Sequence, residues 1–80
     1  MKLPRDLGGD ELIRRLRRFD YEPTRQSGSH VRLTRIAGGT EHHVTIPRHS
    51  PLRVGTLNNI LSGVADHLGI SKDELLRLIG

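Results

Sequence analysis

The sequence predicts an α+β fold in which helices cover one face of a three-stranded antiparallel sheet. Three observations predict it. Leu12, Ile13, Leu16 and Phe19 recur at helical spacing early in the chain, and Leu57, Ile60, Leu61, Val64 and Leu68 do so after its middle. Between them, residues 30–34 and 42–46 alternate apolar and polar with the period of a strand, separated by the turn Ala37-Gly38-Gly39-Thr40. The apolar members of those strands, Val31, Leu33, Val44 and Ile46, share one face, which must be covered by helices.

Residues 1–7 read as a basic extended lead-in. The first helix is expected over residues 9–19. Asp10 and Glu11 lie in its first turn and Arg14, Arg15, Arg17 and Arg18 toward its end, the charge order that the helix dipole favours. Gly8 is a permissive N-cap without a side-chain acceptor. Residues 21–26 read as a strand, and Pro23, with no N–H to donate, places it at a sheet edge. Residues 26–29 form a turn in which Gly28 takes positive φ.

In the next strand Val31 and Leu33 point one way and His30, Arg32 and Thr34 the other. His42, Val44 and Ile46 continue the apolar face on a third strand, opposite Glu41, His43 and Thr45, and Pro47 ends it. A loop over residues 47–55 carries Arg48, His49 and Arg53. The second helix is expected to be capped by Thr56 and closed by Gly69, with His67 complementing the dipole at its end. Ser71-Lys72-Asp73-Glu74 reads as a capping box, with Ile70 and Leu75 as a hydrophobic staple, and starts a short third helix. A sheet covered on one side leaves the face of His30, Arg32, His43 and Thr45 open to solvent or a ligand. A one-residue slip would exchange the faces.

Residues 1–80 are expected to form a single domain with a small core. A content of 34% hydrophobic and 28% charged residues is that of a globular rather than a disordered chain. No apolar run suits a membrane span, and Met1-Lys2-Leu3-Pro4-Arg5-Asp6 has no apolar stretch of a secretory signal. With no cysteine, disulfides and thiolate zinc sites are excluded, and these features together favour the cytoplasm. The five histidines match no zinc spacing, and His42 and His43, neighbours on a strand, point to opposite faces; no metal and no cofactor are expected.

The net charge is +4, and 11 of the 13 basic residues are Arg. The guanidinium fork matches phosphate, so a nucleic-acid partner is a reasonable expectation, against the plainer reading of a GC-rich genome that writes Arg for Lys. Phe19 and Tyr21 are the only aromatics of the Phe, Tyr and Trp class, too few for single-strand recognition by base stacking.

Four stretches, taken together, resemble the HicA (YcfA-like) toxin family. They are Lys2-Leu3-Pro4-Arg5, Arg25-Gln26-Ser27-Gly28-Ser29-His30, His43-Val44-Thr45-Ile46-Pro47-Arg48-His49 and Gly55-Thr56-Leu57-Asn58-Asn59-Ile60-Leu61. The resemblance covers nearly the whole chain. It implies a double-stranded-RNA-binding-domain-like fold, α-β-β-β-α, to which this sequence adds a short C-terminal helix. It implies an mRNA interferase, an RNA endonuclease that serves as the toxin of a type II toxin–antitoxin system. It implies that the His of Gly-Ser-His, here His30, is catalytic, and that a HicB-type antitoxin covers the His30 face. Two departures stand out: many members carry a second His directly after the first, where this chain has Val31, and residues 62–68 and the third helix extend the minimal fold.

The chemistry fits those residues. Metal-free RNA cleavage needs a base for the 2′-hydroxyl proton, an acid for the leaving 5′-oxygen, and cations to stabilise charge in the transition state. An imidazole serves either proton-transfer role near neutral pH. His30, with Arg32 on its face and Arg25 across the turn, supplies the minimum set, and Ser29, Arg48 and His49 complete the expected nucleic-acid contacts with the mRNA. The second proton-transfer group is open between His43 and His49. The competing readings are a non-catalytic RNA- or DNA-binding module, in which His30 is a surface residue at a strand start, and a protein-interaction module that pairs through its open face and edges.

Overall fold

A computed structural model describes residues 6–79; the lead-in expected over residues 1–7 falls, up to Arg5, outside the described residues. Helix α1 spans Gly9–Leu16 and continues as a 3₁₀ turn over Arg17–Phe19. Strands β1 (Glu22–Ser27), β2 (His30–Ala37) and β3 (Thr40–Pro47) follow, then helices α2 (Val54–Leu68) and α3 (Lys72–Ile79). The sheet is an antiparallel meander in the order β1-β2-β3.

The expected faces are the observed ones. Val31 and Leu33 of β2 and Ile46 of β3 are buried with Leu12 and Leu16 of α1, Leu57, Leu61 and Val64 of α2, and Leu75 and Ile79 of α3. Val44 packs partly against the same cluster, as do Ile13 and Phe19. All three helices therefore contribute to a core on one side of the sheet, and β1, at the edge, is exposed along its whole length. The uncovered side carries His30, Thr45 and His43, all exposed, and Ile36, which is 68% exposed.

Three local features differ from expectation or go beyond it. Helix α2 starts at Val54 with Arg53 as its N-cap and no side-chain cap bond, so Thr56 lies inside the first turn rather than capping it. The entry is set instead by Leu52, which is buried and donates its N–H to the Leu7 carbonyl at 2.8 Å. The α2 end is as read: the Ile70 N–H reaches the Ala65 carbonyl at 3.0 Å around Gly69. At α3, the Glu74 N–H donates to Ser71 Oγ at 3.1 Å, one half of the expected capping box.

The third feature is a bulge. Pro23 lies opposite Leu33, yet Arg25 lies opposite Arg32, so β1 gains one residue between them. Strict alternation from Pro23 would have put Arg25 on the helix-covered side. The extra residue turns it to the open face. Thr24 secures the irregularity with its hydroxyl 2.8 Å from Thr34 Oγ1.

Candidate functional site

The site is built around a turn and a loop at one end of the sheet. Gly28, at φ 58°, supplies the left-handed residue that brings β1 into β2, and His30 is the first residue of β2. Across the sheet His30 is paired with Ser27 on one side and Pro47 on the other. The chain leaving Pro47 is then held in place: the Arg48 N–H donates to the Ser29 carbonyl at 2.7 Å, and the Gly9 N–H donates to the His49 carbonyl at 2.8 Å. The result is that His30 and His49, nineteen positions apart in the sequence, have ring centroids 6.4 Å apart with the planes inclined at 64°.

Arg25 and Arg32 face each other on the open side next to His30. Two like charges opposite one another on a strand pair repel. Among the described residues neither guanidinium has a carboxylate partner, and Arg32 Nε is buried with no hydrogen bond. Ser29 is exposed in the turn beside them. This corner of the face is thus cationic and without an internal counter-charge, which suits an anionic group.

Other sequence candidates are placed differently. Arg48 Nε and Nη2 donate to the two Asp10 oxygens at 2.7 and 3.3 Å. That pairing holds the Asp10 carboxyl below the usual carboxylate range and raises the Arg48 guanidinium. His43 lies opposite Thr34, four residues along β2 from His30, roughly 13 Å at the rise of a strand. Its Nδ1 is also engaged by Thr34 Oγ1 at 2.8 Å. The arginines of α1 are largely tied up as a solvated face: Arg14 and Arg15 pair with Glu11, Arg17 pairs with Glu22, and Arg15 also donates to the Ile79 carbonyl. Among the described residues no three His, Asp or Glu side chains converge as a metal site would require.

The remaining histidines form a cluster on the covered side: His67 lies in the last turn of α2, as expected, and has a further role there. His67 does not merely end a helix. Its ring stacks on His42 with centroids 4.6 Å apart, and its Nε2 accepts from Arg35 Nη1 at 3.2 Å. Arg35 Nε in turn donates to the Phe19 carbonyl at 2.7 Å. His42 Nδ1 shares a 2.7 Å hydrogen bond with the buried Tyr21 hydroxyl. The placement of His42 on the apolar face of β3 is as expected, and its register position opposite Arg35 brings it to this cluster.

Burial pushes the Tyr21 pKa up to about 12. Burial, then repulsion from His67 and from His43, lowers that of His42 below its ordinary 6.5. The folded protein therefore binds a proton at His42 less readily than the unfolded chain does. The stabilisation is complete above the unfolded value and is lost as pH falls from there through the folded one. Thermal melts are expected to show Tm falling as the pH is lowered below about 7, with a smaller slope in His42→Gln. Equal slopes in both proteins would contradict this account.

A protein-family model described as HicA toxin of bacterial toxin-antitoxin matches residues 9–69, from the first residue of α1 to the residue that closes α2. Helix α3 lies beyond that stretch. No curated protein and no solved structure matches the chain. No helix among the described residues is long and apolar enough to cross a membrane. The match spans most of the sequence, and the three-stranded sheet with its helices is compatible with the double-stranded-RNA-binding-domain-like fold: the chain belongs to the HicA family of toxins of bacterial toxin–antitoxin systems.

Proposed function

We propose that this toxin is a metal-independent RNA endonuclease that cleaves mRNA in the cytoplasm, with His30 as a general acid or base. The observation that carries the reading is the exposed position of His30, on the uncovered face of a HicA-family chain, beside two arginines that have no counter-charge among the described residues. Arg25 and Arg32 are suited to hold the scissile phosphate and to stabilise charge as it develops there. Ser29 and His49 border the same corner, and Arg48, bound to Asp10, contributes chiefly by fixing the loop that carries His49. A HicB-type antitoxin that covers the His30 face would block cleavage by occluding this corner. One apolar cluster running from Leu7 to Ile79 supports the reading of residues 1–80 as a single domain.

The test is incubation of the purified protein with a defined RNA in the presence and absence of EDTA. Cleavage that is equal in both, and that ends when the cognate antitoxin is added, is expected. Salt-dependent RNA binding without any cleavage would replace the reading by that of a non-catalytic binding module.

A further inference from the structure

We infer that His49 is the second proton-transfer residue of this endonuclease, acting on the same phosphodiester as His30. The inference rests on the endonuclease reading above and goes beyond it by completing the acid–base pair.

Geometry selects His49 over His43. The ring of His49 is 6.4 Å from that of His30 between centroids, close enough for both to reach one phosphodiester at hydrogen-bond distances of about 2.6–3.2 Å. His43 stands four strand residues away and is hydrogen-bonded to Thr34. Among the described residues neither the His30 nor the His49 ring makes a hydrogen bond, and both side chains are exposed, so each is free to exchange a proton with substrate. The neighbouring Arg48 is turned to Asp10.

The backbone of this loop is more constrained than its exposure implies. Its two sides are tied to different elements, Arg48 to the turn before His30 and His49 to the start of α1. Pre-set distance between two catalytic groups is what such bracing would supply.

The step balances without any co-reactant. One imidazole takes the proton of the 2′-hydroxyl as the O2′–P bond forms. The P–O5′ bond breaks, its electron pair leaves with the 5′-oxygen, and the other imidazolium protonates that oxygen. The products are a 2′,3′-cyclic phosphate and a 5′-hydroxyl. The two residues end with one proton exchanged between them through the substrate, and water restores the starting state.

The experiment compares wild type, His30→Ala, His49→Ala and His49→Gln on two RNAs. One is ordinary; the other carries a bridging sulfur at the scissile 5′ position, a leaving group that departs without protonation. On ordinary RNA, His30→Ala and both His49 variants are expected to lose about 10²–10⁴-fold in rate with unchanged thermal melts. On the sulfur substrate, activity is expected to return for the variants at one of the two positions only, which identifies that position as the acid and the other as the base. A His49→Ala protein that cleaves ordinary RNA like wild type while His30→Ala does not would overturn the inference and leave the endonuclease reading intact. Loss in the variants at both positions with no recovery on the sulfur substrate would also overturn it, reducing His49 to a binding residue. A wild type that cleaves neither RNA would remove the endonuclease reading itself, and this inference with it.

Discussion

His30→Ala is expected to slow RNA cleavage by about 10²–10⁴-fold, the usual contribution of a positioned acid or base, while melting with the wild type. The separation of the two effects follows from the structure. His30 is exposed, and its ring makes no hydrogen bond among the described residues, so its removal deletes little that holds the fold together. Substitutions at such surface positions change stability by about ±0.5 kcal/mol. Expression in cells gives the matching readout: the wild type arrests growth and the variant does not. A folded His30→Ala protein that cleaves RNA and arrests growth at full strength would end the case for His30. Loss of cleavage accompanied by a large fall in Tm would instead assign His30 a structural role that the observed contacts do not support.

Much of this arrangement is legible in the sequence, because strand alternation and helical spacing are strong where one face is buried. Val31 and Leu33 against His30 and Arg32 is such a case, and the register agrees with it. What alternation cannot show is where it is interrupted. The bulge between Pro23 and Arg25 is set by a hydroxyl contact and an edge proline, not by an apolar pattern, and only the bulge brings Arg25 to the side of Arg32. Thr56 was an attractive cap by residue type, but Leu52 is buried in the core and draws the helix start back to Val54. The stacking of His67 on His42 is not legible, because a contact across two elements leaves no trace in local spacing. The choice between His43 and His49 was open for the same reason. It depends on how the loop after Pro47 returns to the start of α1, a long-range event recorded in backbone hydrogen bonds.

That return hinges on Gly9, and Gly9→Ala is expected to destabilise the protein by about 1–3 kcal/mol, the range for forcing extra atoms into a packed site. A Cβ at Gly9 would stand 1.9 Å from the Pro47 carbonyl oxygen and 2.9 Å from Arg48 Cα. Both neighbours are backbone, so no side-chain rotation relieves the clash; α1 and the Pro47-Arg48-His49 segment must move apart. The same movement strains the Gly9-to-His49 hydrogen bond and carries the His49 ring away from His30. Each kcal/mol lost lowers Tm by about 4–8 °C in a domain of this size. Cleavage by the fraction that remains folded should fall as well, which a simple loss of stability does not predict. Gly55→Ala is the control. Gly55 also lies in a helix, and a Cβ there meets nothing within 4 Å. Replacing glycine by alanine where the backbone suits it ordinarily stabilises by roughly 0.4–1 kcal/mol by restricting the unfolded chain, and neither glycine has positive φ, so that effect alone predicts a higher Tm for both variants. A rise at Gly55 with a fall at Gly9 isolates the backbone contact; a rise at both would show that the loop is not seated against α1 as described.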